Sequence, residues 1–294
     1  MRLPQFEYLA PGTVEEACAF LAVHQPGAFV LAGGTDLLVK MKARKVVPRY
    51  LVNLKTIPGL DSITYTEGDG LRIGALTTMQ VLKNSSVIKR QCKILAQACA
   101  VESSVQVRNL ATLGGNIANA SPAADAPLAL VAAGATVVLA SVGGEREVLL
   151  QDFSTGPGKT VLLPGELIKE IHVAPSQSGM GVAFLKHSLR QTDIAIVAAA
   201  VALTLDKDKK VCTQARIGLG SVAPTILRAC GAEALLAGKN VTEEVADVAA
   251  REAAQESSPI NDIRGSAEYR EKNVFEITRK AILQAVHDAK TGGF

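Results

Sequence analysis

Two short glycine-bearing stretches carry residue types that could hold a phosphate. The first is Leu31-Ala32-Gly33-Gly34-Thr35-Asp36-Leu37. An apolar run feeds two glycines, then a threonine and an aspartate, a pattern that ends a strand, turns, and opens a helix near Thr35-Asp36. Free backbone N–H groups at such a mouth attract anions, and glycine lets the chain come close to a phosphate. A tight turn with no ligand would use the same two glycines, and the stretch is neither GxGxxG nor the lysine-bearing phosphate loop. The second stretch runs from Arg108-Asn109-Leu110-Ala111-Thr112-Leu113-Gly114-Gly115-Asn116 through Ile117-Ala118-Asn119-Ala120-Ser121-Pro122-Ala123-Ala124-Asp125. It joins another glycine pair to hydroxyls, amides and one acid. A diphosphate needs N–H and O–H donors, and a ribose or ribityl chain needs an amide or carboxylate acceptor, a part open to Asp125. Asp125 is also placed to cap a helix before Pro127-Leu128-Ala129-Leu130, and both roles can hold together. Two such cradles in one chain point to a large phosphate-bearing cofactor.

Three regions must position these stretches. Residues 1–55 read as β–α–β. Thr13, with Glu16 three residues on, starts a helix by a capping box. Residues 28–32 and 50–54 are strands, with the Gly33-Gly34 turn at the mouth of the helix between them. Residues 56–173 open with a strand at 71–76, and Thr77 or Thr78 caps the helix after it. A helix at 88–100 places Cys92, Leu95, Ala96 and Cys99 on one face. Residues 109–127 read as a long loop, which in a compact domain is more often functional than not. Strands at 137–139 and 167–173 complete this region. Residues 174–294 follow a linker at 175–179. Antiparallel strands at 181–189, 194–205 and 211–219 are expected, with Asp206-Lys207-Asp208-Lys209 turning between the last two. Helices then end at Gly238, run over 243–256, and run over 274–289 with Val274, Ile277, Ala281, Ile282 and Ala285 on one face.

Composition narrows the function classes. The chain has 294 residues, 48% hydrophobic and 20% charged, enough to bury a sizeable globular core. It has no Trp and only 4% aromatics, which makes the core aliphatic and argues against a stacking platform for single-stranded nucleic acid. A net charge of +3 is too small to imply a polyanion partner. The densest basic stretch, Lys40-Met41-Lys42-Ala43-Arg44-Lys45, reads as a solvated helix end. No run of about 18 apolar residues is present to span a bilayer, and the first residues lack an apolar leader, so the protein is expected in the cytoplasm. Cys18, Cys92, Cys99, Cys212 and Cys230 are scattered, as are His24, His172, His187 and His287. Neither a disulfide framework nor a metal site is expected.

Four motifs in register carry a resemblance. Ala32-Gly33-Gly34-Thr35-Asp36-Leu37, Ile73-Gly74-Ala75, Arg108-Asn109-Leu110-Ala111-Thr112-Leu113-Gly114-Gly115-Asn116 and Ser266-Ala267-Glu268-Tyr269-Arg270 resemble the FAD-binding subunits of molybdenum hydroxylases. That family includes the medium subunit of aerobic carbon monoxide dehydrogenase and the flavin domain of xanthine dehydrogenase. The similarity spans essentially the whole chain. It implies an α+β protein with an FAD-binding fold of the vanillyl-alcohol oxidase (PCMH) type and a C-terminal domain of a three-stranded sheet plus helices. It implies FAD as cofactor, with the diphosphate against both glycine pairs. The matching positions are Ala32, Gly33, Gly34, Thr35 and Asp36 in the first cradle, bordered by Leu31. In the second they are Ala111, Thr112, Gly114, Gly115, Asn116, Ser121 and Asp125, with Asn119 among them. Ile168 and Lys186 match family positions near the flavin. A cation at the pyrimidine edge stabilises the negative charge of reduced flavin, which is the role this gives Lys186. Without the resemblance Lys186 reads as a surface strand lysine. Arg190 either faces the entrance used by an electron acceptor or pairs with Asp193. Xanthine-type members carry an aromatic residue near the start of the second cradle, where this sequence has Val101-Glu102-Ser103-Ser104. The residue that stacks on the isoalloxazine is therefore unassigned. The four-cysteine insertion of the 4-hydroxybenzoyl-CoA reductases is missing, so no iron–sulfur cluster is expected in this chain.

The function implied is an electron relay. A molybdenum-cofactor large subunit oxidises the substrate, a [2Fe–2S] small subunit carries the electrons, and the FAD of this chain passes them to NAD, a quinone or a ferredoxin. By family analogy the assembly is a hetero-oligomer, a doubled heterotrimer. No catalytic residue and no metal ligand is assigned to this chain. A stand-alone FAD-dependent oxidoreductase of the same fold would need an acid–base dyad, and none stands out. A non-redox assembly module would not need intact glycine cradles or Lys186.

Overall fold

The computed structural model describes residues 2–292 of an α+β chain built on three main sheets. In the first sheet, Glu7–Leu9 and Ala28–Leu31 flank Tyr50–Asn53, all parallel. The helix Leu37–Lys42 links the last two strands, giving the expected β–α–β unit. Glu7–Leu9 has only three residues and no buried alternation, so pattern alone does not reveal it. The capping box forms in part, with the Glu16 carboxylate reaching past Thr13 to the residue before it. Glu16 N–H donates to Thr13 Oγ1 at 3.1 Å, and the Glu16 carboxylate accepts from Gly12 N–H at 2.8 Å.

The second sheet is antiparallel, with spatial order Ile63–Thr66, Gly70–Gly74, Leu167–Val173, Thr136–Ser141, Gly144–Leu149. Helices bury their apolar faces against it around Leu71, Ile73, Met79, Leu95 and Leu128. Two expectations are corrected here. The helix expected over 88–100 is two helices, Ser86–Gln91 and Lys93–Val101, broken where Cys92 adopts φ −149°, ψ 61°. Cys92, Leu95 and Cys99 are all buried, so the apolar face continues through the break and conceals it. The long loop expected over 109–127 contains the helix Leu113–Ala118 and the start of the helix Asp125–Ala133. Two adjacent glycines lower helix propensity by about 1 kcal/mol each, which hides the first of these. Tertiary hydrogen bonds hold it instead, from Leu113 N–H to Thr77 O at 3.0 Å and from Gly114 N–H to Ala75 O at 2.8 Å.

The third sheet has four strands rather than the three expected: Met180–His187, Val197–Leu205, Cys212–Gly220 and the two-residue Leu227–Arg228. Two residues carry no periodicity, so the fourth was invisible to pattern. Val197–Leu205 is buried on both faces. Ala198, Ala200 and Ala202 face the core of the second sheet's helices, and Val197, Ala199, Val201 and Leu203 face the C-terminal helices. Those helices are Cys230–Leu236, Glu243–Glu256 and Ala267–Thr291. The last begins at Ala267 rather than 274, with Ser266 Oγ accepting from Tyr269 N–H at 3.1 Å. Among the described residues no helix is long and apolar enough to cross a membrane.

The motif Ser266-Ala267-Glu268-Tyr269-Arg270 thus has a structural office. Ser266 caps the helix, and buried Arg270 donates to Ile196 O at 3.0 Å, Ser221 O at 2.9 Å and the Asp262 carboxylate at 2.6 Å. Truncating one partner of a buried charge cluster leaves the others unsatisfied, at a cost of about 3–5 kcal/mol. Arg270→Met is therefore expected to lower the denaturant midpoint strongly, measured by urea unfolding. A midpoint matching the parent would show that Arg270 does not tie the helix to the sheet.

A candidate cofactor cleft between two glycine segments

The two glycine segments meet backbone to backbone. A Cβ placed on Gly33 would overlap the carbonyl of Leu110 and come within 3.0 Å of Ala111 Cα. A Cβ on Gly114 would lie 2.6 Å from the Ala75 Cβ, and one on Gly74 would overlap the Leu60 carbonyl. These glycines exist because main chains touch there. Gly34 differs, since its φ of +73° makes the turn itself.

Their meeting leaves a cleft of about 330 Å³, within the usual size of cofactor and ligand sites. It gathers most of the expected residues. Ala32, Gly33, Gly34, Thr35 and Asp36 form one wall, Ala111, Thr112, Gly114, Gly115, Asn116 and Asn119 form another, and Ile168 closes a third. Phe29, Leu37, Leu54, Leu76 and Leu162 make the rest largely apolar.

Four expected residues do not line it. Leu31 is held in its strand. Ser121 borders a smaller neighbouring pocket, and its Oγ accepts from Ala123 N–H at 3.3 Å. Asp125 and Lys186 form a buried ion pair at 2.6 Å, and Lys186 also donates to Val101 O at 2.8 Å. Lys186 is thus not a surface strand lysine. Asp125 is not a helix cap either, because the cap position is Ala124 and Asp125 is the first helical residue. Burial pushes the Asp125 carboxyl up to about 6, opposed by the Lys186 ammonium. Arg190 is exposed and makes a turn in which its carbonyl accepts from Asp193 N–H at 3.0 Å. No ion pair joins the two side chains among the described residues.

The hydrogen bonds separate the two segments chemically. Among the described residues, the backbone N–H groups of Gly33, Gly34, Thr35 and Asp36 meet no protein acceptor. The glycine pair of the second segment was expected to offer N–H donors as well, and among the described residues it does not. Leu113 and Gly114 donate to Thr77 O and Ala75 O, while Gly115 donates to Thr112 Oγ1 at 3.2 Å and Asn116 to Thr112 O at 2.9 Å. Successive free N–H groups in a turn make an anion-binding concavity, so the anion donors lie in the first segment. The second supplies side chains, and one of them holds an unpartnered acceptor. Asn116 Oδ1 is sealed from solvent with no partner, an unmet demand that a bound O–H or N–H donor would satisfy.

Lys40 is the residue that sequence reasoning missed. It belongs to the stretch read as a solvated helix end, yet it lines the cleft and donates to Asn119 Oδ1 at 2.7 Å, bridging the two segments. It is the only cation among the lining residues described. A signal was available. Leu37 and Lys40 are three apart on a helix opened by the glycine turn, and helical side chains lean toward the N-terminus. Glu166, on the opposite wall, is fully engaged. Arg146 donates to both its oxygens at 2.7 and 2.8 Å, and Leu163 N–H donates at 2.7 Å. The Arg146 hydrogen bonds hold its carboxyl below the usual carboxylate range and fix the Leu162-Leu163 turn beside the cleft.

Free N–H donors, one cation, hydroxyls, an unpartnered amide oxygen and long apolar walls suit an elongated cofactor with a diphosphate and aromatic rings. The comparisons with known proteins agree. Residues 4–176 match the family described as FAD binding domain in molybdopterin dehydrogenase. Residues 183–285 match the CO dehydrogenase flavoprotein C-terminal domain. The 6-hydroxypseudooxynicotine dehydrogenase complex subunit alpha of Paenarthrobacter nicotinovorans is 34% identical over 99% of this chain and 97% of its own. The carbon monoxide dehydrogenase medium chain of Hydrogenophaga pseudoflava is 36% identical over 96% of this chain and 97% of its own. A solved structure of carbon monoxide dehydrogenase from the same organism superposes with a TM-score of 0.93, covering 97% of this chain and 98% of that one. With both family models matched in order and relatives covered from end to end, this chain belongs to the FAD-binding medium subunits of the molybdenum hydroxylase family.

Proposed function

We propose that this chain holds FAD in the cleft between its glycine segments and relays electrons from the [2Fe–2S] clusters of a small partner subunit to an external acceptor. Substrate oxidation falls to a molybdenum-cofactor large subunit. The observation that carries this reading is the row of unpartnered N–H groups at Gly33–Asp36, opening into the same cleft as Lys40, Thr112 and Asn116. Relatives named as medium chains and as a subunit of a dehydrogenase complex support the multi-subunit setting. Residues 1–55 and 56–173 would be the two FAD-binding subdomains, and residues 174–294 a third unit.

Bound FAD supplies two-electron acceptance with onward release, which a relay requires. The chain's own residues supply the rest. The Gly33–Asp36 turn offers its N–H groups to the diphosphate, and Lys40 adds a positive charge while tying the two walls together. Thr35 and Thr112 offer hydroxyl donors, and Asn116 Oδ1 accepts. Leu54, Leu76, Leu162 and Ile168 exclude water, which strengthens each polar contact.

The purified chain is expected to be yellow and to carry about one FAD per chain. A folded, colourless protein that takes up no added FAD would remove the cofactor assignment. Lys40→Met loses a charge-assisted contact, so FAD affinity is expected to fall about tenfold or more, with the unfolding midpoint little changed. Gly33→Ala forces a Cβ into the Leu110 carbonyl, so FAD binding and stability should fall together. Fluorescence titration with FAD and thermal unfolding of both variants separate the two effects. Unaltered affinity in Lys40→Met would take Lys40 out of the site.

A relay has no substrate site of its own. The FAD-loaded chain alone is expected to turn over no purine, aldehyde, aromatic acid or carbon monoxide, measured by dye-coupled assay, whereas reduction of its flavin should follow once partner subunits are added. Turnover by the isolated chain would establish a stand-alone oxidoreductase instead.

A further inference from the structure

Close to the second segment lies a group of charges that the cleft does not use, with Arg108 and Asp125 buried and Glu102 half-buried. Arg108 is buried and donates to Glu102 O at 2.9 Å, Ser103 O at 2.6 Å and Gln80 Oε1 at 3.1 Å. Lys186 reaches from the third sheet to Val101 O and Asp125 Oδ2. Two cations thus clamp the backbone of residues 101–103, where Ser103 is held at φ +51°. Within this clamp two carboxyl oxygens, Glu102 Oε2 and Asp125 Oδ1, are sealed from solvent and have no partner. If both carboxylates were ionised, each would leave a bare acceptor in a low-dielectric site, beside a like charge. One proton removes the second charge and turns an acceptor into a donor.

We propose that Glu102 is the proton-bearing residue of this cofactor region: its carboxyl is neutral at neutral pH, and its ionisation turns the Glu102–Asp125–Lys186 group from uncharged to net negative. The surrounding charges act in that direction. Burial, then Asp125, push the Glu102 carboxyl up to about 8, while Lys186 and Arg108 oppose and Asp36 adds to the rise. Cys99 faces the same group from the helix Lys93–Val101, and burial holds its thiol well above the ordinary value, so it stays protonated and does not compete. For redox function the inference rests on the FAD reading above. A negative charge gained near an electron acceptor disfavours the added electron, so the flavin potential should fall more steeply with pH once Glu102 ionises.

The titration itself is independent of FAD. Difference infrared spectroscopy of the apo chain, with isotope-labelled glutamate, is expected to show a protonated glutamic acid that disappears around pH 8, and Glu102→Gln should abolish that signal. Stability supplies a second readout. The folded-state value lies above the ordinary 4.5, so the stabilising contribution is complete below 4.5 and is lost as pH rises toward about 8. Glu102→Gln should therefore gain stability relative to the parent at alkaline pH and not at acid pH. In the FAD-loaded chain its flavin potential should match the parent near about pH 6 and exceed it near about pH 9. A wild-type Glu102 found ionised at pH 7 overturns the proposal, even if the variant fails to fold. Equal potentials at alkaline pH overturn the redox role. A chain that takes no FAD but shows the buried protonated glutamic acid refutes the relay reading and keeps Glu102.

Discussion

The close approach of two main chains, with no side chain between them, is the constraint on which the rest of the architecture depends. At Gly33 the first parallel sheet delivers its turn directly onto the carbonyl of Leu110, and at Gly114 the second segment lies on Ala75. Any Cβ at these points would push the walls apart by more than the side chains around them could absorb, because packed interiors do not yield to extra atoms. The glycines are thus first a joint between regions. The cleft is what remains beside the joint, and its width is set by that contact.

This changes what a glycine pair means here. Both pairs look like phosphate cradles in sequence, yet among the described residues it is the Gly33–Asp36 turn, and not the Gly114-Gly115 pair, that leaves successive donors free. The N–H groups around Gly114 and Gly115 close onto Thr77, Ala75 and Thr112. Around its glycine pair the second segment is therefore self-satisfied along its backbone, and it presents Thr112 and Asn116 as side chains. The first turn leaves its hydrogen-bond demand unmet. Buried or half-buried donors without partners are costly, and a protein keeps such a turn where a ligand completes it. Lys40 contributes to both walls at once through Asn119.

Much of this was legible in the residues. The β–α–β unit, the capping box at Thr13, and the strands around residues 71–74 and 197–205 follow from apolar spacing and capping chemistry. So does the turn at Gly33-Gly34. What failed has physical causes. The break at Cys92 leaves the apolar face intact, so periodicity reads straight through it. The helix Leu113–Ala118 is held by tertiary hydrogen bonds against the propensity of its two glycines. Leu227–Arg228 is too short to have a period. Lys40 was assigned to solvent because a run of like charges usually is solvated, and only its position one turn after the glycines set it apart. Asp125 and Lys186 read as cofactor residues in the sequence, yet neither lines the cleft; their pairing spans sixty-one positions and no local pattern encodes it.

That pairing also explains why the third sheet is more than an attachment. Its inner strand presents Ala198, Ala200 and Ala202 toward the second core. These small side chains let the sheet approach closely enough for Lys186, on the neighbouring strand, to reach Val101 and Asp125. A larger residue at the alanines would hold the sheet away, and the Asp125 carboxylate would then lie buried without its ammonium. Burial already raises that carboxyl, and Lys186 is the group that opposes the rise. The charge state beside the second segment is thus decided by the packing of a sheet whose sequence contains no part of the cleft. In this chain the aliphatic core sets the distance, and the distance sets the electrostatics.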